Sequence, residues 1–183
     1  MTKLILLLFS MTLFSCGQKG AGETTAPITE VKKASTTTAP SFNADSAYAY
    51  VEKQVSFGYR IPNTPAHKAC GDYLVSELKR FGAQVYEQEA TLKAYDGTPL
   101  ESRNIIGSFN PDKDKRILLF AHWDTRPYSD HDPDPANHKK PLDGADDGAS
   151  GVGALLEIAR QMGMKAPEVG VDIIFFDAED YGT

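Results

Sequence analysis

In the stretch VDIIFFDAEDYG, residues 171–182, an apolar run is followed directly by acidic side chains. A short, nearly continuous apolar run is typical of a strand that is buried on both faces of a sheet. Asp177, Glu179 and Asp180 come at the end of this run. The stretch therefore predicts a buried strand that delivers three carboxylates to one edge of a sheet.

A second apolar run lies upstream, RILLFAH at residues 116–122, and we expect it to be buried on both faces as well. Between the two runs, ASGVGALLEIARQMG at residues 149–163 has apolar side chains at helical spacing. A strand, loop, helix and strand in this order predict a right-handed crossover and parallel pairing of the two strands.

The preceding segments extend this pattern. Helices are predicted at residues 43–58 and 63–82, and strands at residues 83–92 and 103–109. His67 falls in the second helix, where we expect it on the exposed surface. Together the segments predict an α/β fold with a mixed, largely parallel sheet flanked by helices.

Ligands of such sheets bind outside the carboxyl ends of the strands. The side chains predicted to gather there follow one of the two strands or precede the crossover helix: His122, Asp124, Asp146, Asp147, Asp177, Glu179 and Asp180. Gathered carboxylates need either a cation or exposure to water. Zinc takes nitrogen from His and oxygen from Asp or Glu, so the pattern favours a metal site. The alternative is exposure, and for Asp146 we favour a role at the helix dipole.

Three blocks resemble the family of zinc aminopeptidases: AHWDTRP at residues 121–127, GADDGASGVGALLEIAR at residues 144–160 and IIFFDAED at residues 173–180. The resemblance runs from residue 41 to the end of the chain, and three ordered blocks are more specific than any one motif. HWDTRP and the insert at residues 128–147 are more similar to the bacterial glutaminyl-peptide cyclotransferase branch. The resemblance implies a three-layer, zinc-exopeptidase-like fold.

The resemblance also implies a role for each matching residue. Asp147 and Asp180 would be zinc ligands, and Glu179 would be the general acid and base. His122 and Asp124 match a His-x-Asp motif, in which the His binds metal in two-zinc aminopeptidases and the pair supports the site in one-zinc cyclases. The implied cofactor is one zinc ion in a cyclase and two in an aminopeptidase.

The chain departs from the family pattern in two places. The family usually has Glu where Asp180 stands, and the shorter side chain would bring a metal closer to the backbone. The chain ends at Thr183, before the family's last zinc ligand, a histidine. We therefore expect residues 42–183 to be an incomplete domain, the amino-terminal fragment of a larger enzyme, truncated at the C-terminus and inactive alone. Asp177 is expected to hold the turn after its strand.

The resemblance implies a glutaminyl-peptide cyclotransferase, which converts the N-terminal Gln of a peptide to pyroglutamate and releases ammonia. A zinc aminopeptidase, which hydrolyses the first peptide bond, is the alternative, and the spacing of Glu179 and its neighbours suits both. A non-catalytic, peptide-binding surface lipoprotein is a second alternative, because a fold alone does not fix function. In each case the expected partners are peptides with a free N-terminus.

The beginning of the chain predicts export. Residues 1–15 combine a positive start with an apolar run too short to span a bilayer, which is typical of a signal peptide. The following Cys16 resembles the lipidated cysteine of bacterial lipoproteins, the alternative being an ordinary cleavable signal. Residues 16–41 have the composition of a flexible tether. We therefore expect a lipoprotein anchored to a membrane of a bacterial cell envelope, on the periplasmic or surface side. A net charge of -6 argues against nucleic acid as a partner.

Overall fold

The computed structural model describes residues 39–181. The predicted signal peptide at residues 1–15, the predicted lipidation at Cys16 and most of the predicted tether at residues 16–41 lie outside this range and stay predictions. No helix among the described residues is long and apolar enough to cross a membrane.

Three α-helices and four β-strands make up the described fold. In chain order they are α1 (Ala44–Ser56), α2 (Pro65–Arg80), β1 (Gln84–Lys93), β2 (Pro99–Phe109), β3 (Arg116–His122), α3 (Ala149–Met164) and β4 (Gly170–Phe176), with a short 3-10 helix at Pro135–Asn137 before α3. The strands form one sheet in the order β1-β2-β4-β3. The predicted α/β fold with a mixed sheet is confirmed.

The crossover unit at the centre of the prediction is present. Strands β3 and β4 pair in parallel, from Arg116 beside Gly170 to His122 beside Phe176, and α3 connects them. The other two pairings of the described strands, β1 with β2 and β2 with β4, are antiparallel, so the prediction of a largely parallel sheet is wrong for the described strands. β1 and β2 are joined by a tight turn, and such a short connection permits only antiparallel pairing.

The core lies between the sheet and helices α2 and α3. Apolar side chains of both helices and of β2 and β4 form one buried cluster, which includes Leu74, Leu78, Ile105, Leu156, Ile173 and Phe175. Cys70 is fully buried in this cluster, where it packs as a small apolar residue. The core thereby fixes the carboxyl ends of β3 and β4 relative to the start of α3.

Among residues 39–181, β3 is not buried on both faces, contrary to the prediction. Ile117, Leu118 and Phe120 are 49%, 53% and 64% exposed. β3 is the last strand of the described sheet, and α3 packs on the face that carries Ala121. Leu118 and Phe120 point to the opposite face because side chains alternate along a strand. A continuous apolar run therefore does not show whether one face or both faces of a strand are covered by other elements.

Candidate active site

The carboxyl ends of β3 and β4 and the start of α3 bring four of the predicted site residues together. His122 Nε2 donates a hydrogen bond to Asp147 Oδ1 at 2.9 Å. On the other side of the ring, Nδ1 lies 3.6 Å from Asp124 Oδ1 and 3.8 Å from Glu179 Oε2. Of the seven side chains predicted to gather at this edge of the sheet, His122, Asp124, Asp147 and Glu179 are thus close together.

These carboxylates change the acidity of His122. The pKa of the imidazole is raised to about 9, first by Asp124 and then by Asp147 and Glu179, while burial of the ring opposes the change. Nδ1 is buried and has no hydrogen-bond partner among the described residues. The site therefore concentrates negative charge around one imidazole, and that charge would also attract a metal cation.

Asp124 holds the turn that carries Glu179 and Asp180. Its side chain is fully buried, and its two oxygens accept hydrogen bonds from the backbone N–H of Glu179 at 3.2 Å and of Asp180 at 3.0 Å. Both oxygens are thus engaged with the backbone. The geometry therefore favours support of the site as the role of Asp124, rather than direct binding of a metal.

Asp180 pairs with an arginine that the sequence analysis did not single out. Arg126 donates to Asp180 Oδ1 at 3.0 Å and makes a two-pronged contact with Asp130 at 2.6 and 2.9 Å. Burial raises the pKa of Asp180, as do the charges of Asp147 and Asp124, while Arg126 lowers it. The only sequence signal for this pairing was the position of Arg126, two residues after Asp124.

The segment that carries Asp147 is held by a second arginine that the sequence did not point to. Arg60 is fully buried and donates to the backbone carbonyls of Asp143 at 2.6 Å and Gly144 at 2.7 Å. Gly144 has a φ of 57°, and a Cβ there would lie 2.4 Å from Thr125 Cγ2. Asp147 itself extends from this rigid base with 68% of its side chain exposed. The carboxylate is therefore accessible to a ligand.

Asp177 holds the turn after β4, as predicted. One of its hydrogen-bond partners is His67, which was predicted to lie elsewhere. Its carboxylate accepts hydrogen bonds from the backbone N–H of Ala178 and of Arg103, and from His67 Nε2. The prediction that His67 lies on the helix surface is wrong, because it is only 6% exposed and stacks against Trp123. The helix pattern shows which face a residue occupies but not what a distant strand places against it.

The donors suit zinc in type but do not form a complete ligand group. Within residues 39–181, no three His, Cys, Asp or Glu side chains are grouped so that they could hold a metal ion. The exposed Asp147 carboxylate and the crowded Asp180 carboxylate are oxygen donors that a cation would stabilise. The carboxylates of Asp147 and Asp180, together with the exposed side chain of Glu179, fit part of a catalytic zinc site.

Comparison with known proteins supports the resemblance to zinc peptidases. Residues 104–183 match Peptidase family M28. A solved Zn-dependent exopeptidase from Parabacteroides distasonis is 79% identical, with a TM-score of 0.78 over 79% of this chain and 49% of that one. Tannerella forsythia glutaminyl cyclase is 68% identical, with a TM-score of 0.77 over 79% of this chain and 50% of that one.

A curated relative is more distant. Aminopeptidase YwaD of Bacillus subtilis is 32% identical over 125 residues, which are 66% of this chain and 24% of the relative. The chain spans about half the length of the two solved structures. The resemblance seen in the sequence is thus confirmed: residues 104–183 match the model of Peptidase family M28, and the fold is shared with solved zinc exopeptidases and bacterial glutaminyl cyclases.

Proposed function

We propose that the protein is a zinc-dependent glutaminyl-peptide cyclotransferase, which converts the N-terminal Gln of peptides to pyroglutamate and releases ammonia. One observation carries the proposal. Glu179 lies beside His122 with 63% of its side chain exposed, on a backbone that Asp124 holds in place. A general base needs this combination of fixed position and free access to its substrate. The 68% identity to a protein named glutaminyl cyclase supports the same reaction.

Each site residue has a part in the proposed reaction. Asp147 and Asp180 would hold zinc, which supplies Lewis-acid polarisation of the side-chain amide carbonyl of the substrate. Glu179 would take a proton from the attacking α-amine as the new C–N bond forms, and would donate a proton to ammonia as the old C–N bond breaks. Arg126 would keep Asp180 ionised, because its positive charge lowers the pKa of that carboxyl.

A zinc aminopeptidase is the second candidate. It is favoured by the 79% identity to a protein described as a Zn-dependent exopeptidase. In this reaction Glu179 would take a proton from the attacking water, and His122 would join Asp147 and Asp180 as a ligand for a second zinc ion. If neither reaction occurs, the site would serve a peptide-binding lipoprotein without catalysis.

The full-length protein distinguishes these candidates. Ammonia release is measured from a peptide that begins with Gln, and amino-acid release from a peptide that begins with Leu, each with zinc and with a chelator. Ammonia release that stops on chelation supports the cyclase, whereas leucine release supports the aminopeptidase. Absence of both activities in a protein that binds zinc would contradict catalysis.

A matched pair of variants tests the role of the base. Glu179→Gln should lower kcat by roughly 100-fold or more, which is the usual contribution of a general base, while zinc affinity stays unchanged. Glu168→Gln makes the same chemical change at an exposed position just before β4, at the opposite end of that strand. Equal effects of the two variants would remove Glu179 from the mechanism.

We also propose that the protein is exported and anchored to a membrane by a lipid on Cys16, where it would meet peptides with free N-termini. The sequence LFSC at residues 13–16 supports this location. Growth of an expressing bacterium with a labelled fatty acid should label the protein, and Cys16→Ser should abolish the label. An unlabelled protein would favour an ordinary cleavable signal.

A further inference from the structure

The turn that carries Glu179 has a backbone that must be held in place. Ala178, directly before Glu179, has a φ of 58°, which is in the left-handed region that non-glycine residues rarely adopt. Such a conformation persists only where the surrounding contacts determine it. Asp124 fixes the turn on one side, through the backbone of Glu179 and Asp180. The contacts on its other side involve Asp177.

Asp177 is bonded by donors from three parts of the chain. His67 Nε2 donates to its two oxygens at 2.8 and 2.9 Å, the backbone N–H of Arg103 donates at 2.6 Å, and the N–H of Ala178 donates at 2.8 Å. The N–H of Asp177 donates in turn to Asn104 Oδ1 at 3.0 Å. His67 is the only side-chain donor of these three, and it reaches the turn from helix α2.

The same imidazole also contacts the segment that carries His122 and Asp124. The ring of His67 stacks on Trp123, with ring centroids 4.3 Å apart and planes 14° from parallel. Trp123 is fully buried, its backbone N–H donates to the carbonyl of Phe176 at 3.0 Å, and its indole N–H donates to the carbonyl of Arg103 at 3.3 Å. One side chain thus touches both segments from which the candidate site is built.

We infer that His67 is a positioning residue for Glu179, acting through Asp177 and Trp123, an inference that rests on the proposed function of the site. The hydrogen bond to Asp177 fixes the turn that begins two residues before Glu179. The stack on Trp123 fixes the strand end from which Asp124 holds the same turn. If His67 only filled space in the core, its loss would leave the position of Glu179 unchanged.

Two substitutions separate the contributions of His67. His67→Gln keeps a side-chain donor for Asp177 but loses the ring, and His67→Phe keeps a ring for Trp123 but loses the donor. Because misplacement of a catalytic group by about 1 Å can cost on the order of 100-fold in rate, we expect His67→Phe to lower kcat by roughly 10- to 100-fold. KM should change by less than about threefold, and His67→Gln should retain more of the rate.

Hydrogen exchange gives a readout that does not depend on activity. In His67→Phe, the amides of residues 178–180 should exchange faster than in the parent protein, while amides of the α3 core do not. Asp172→Asn is the matched control, because Asp172 is a partly buried acceptor for Arg116 and Ser108 near the opposite end of β4. It should lower the unfolding temperature without changing exchange at residues 178–180.

The outcomes are distinct. Faster exchange limited to the turn, together with a lower kcat and partial rescue by Gln, supports positioning by His67. Unchanged exchange at residues 178–180 in His67→Phe, or an equal loss of kcat in Asp172→Asn at the same loss of stability, overturns it. If the parent protein has neither activity, the proposed function fails, and the exchange of the turn still decides whether His67 positions it.

Discussion

Replacing Asp124 with Asn should lower the pKa of His122 in the metal-free protein. The pKa of this imidazole is raised to about 9, and Asp124, with Oδ1 at 3.6 Å from Nδ1, is the largest cause. Asn has nearly the same shape and no charge, and its amide nitrogen cannot accept one of the two backbone hydrogen bonds that Asp124 accepts, so the pKa of His122 is the decisive measurement. The pKa of His122 should therefore fall towards the ordinary value of 6.5, with Asp147 and Glu179 keeping it somewhat higher.

The size of the effect follows from the raised pKa. A change from 6.5 to about 9 favours the protonated ring in the folded state by about 3 kcal/mol. The ring is half-buried, so screening by water reduces this contribution to roughly 1–2 kcal/mol. Because the folded pKa is raised, the stabilisation is fully present below pH 6.5 and is lost as the pH rises through about 9.

Two measurements check the prediction on the chelator-treated, full-length protein. An NMR titration of the His122 Cε1–H gives the pKa, and urea denaturation at about pH 6 and about pH 10 gives the pH dependence of the free energy of unfolding. Asp146→Asn is the control, since it removes a neighbouring charge that does not contact His122. The reasoning is refuted if His122 of the parent protein titrates at its ordinary pKa, or if both variants lower it equally.

Three further predictions concern the surroundings of the site. Arg126→Ala should raise the pKa of Asp180 further, because Arg126 opposes the effect of burial. Zinc binding, followed by calorimetry, should then require a higher pH. An unchanged pH dependence of zinc binding would contradict this prediction. Gly144→Ala should lower the free energy of unfolding in urea by about 2 kcal/mol or more, since its φ is 57° and the new Cβ would meet Thr125; a neutral result would show that the loop can shift. Cys70 should stay unmodified by a thiol reagent in the native protein and react only after unfolding, because burial raises its pKa to about 12, and rapid native labelling would disprove its burial.

The convergence of site residues could be predicted because it follows from topology. Two apolar runs separated by a helical pattern require a parallel crossover, and the carboxyl ends of parallel strands meet at one edge. His122, Asp147 and Glu179 are close in the structure for this reason. The resemblance to a family then supplied roles that geometry alone does not assign.

The partners of the site residues could not be predicted in the same way. Arg60 and His67 lie before the sheet in the chain, and neither the loop at Asp143 nor the turn at Asp177 is near them in sequence. Buried polar side chains are paired by long-range contacts, which a local periodic pattern does not contain. The exposure of β3 was missed for a similar reason, because it depends on the order of the strands.

The exposed face of β3 should promote association between copies of residues 39–181. A strand at the end of a sheet offers backbone groups that can pair with another chain, and Leu118 and Phe120 add an apolar surface beside them. A preparation restricted to residues 39–181 should therefore form higher oligomers as its concentration rises, which light scattering would detect. A charged residue on that strand, such as in Phe120→Lys, should keep the preparation dispersed without disturbing the candidate site.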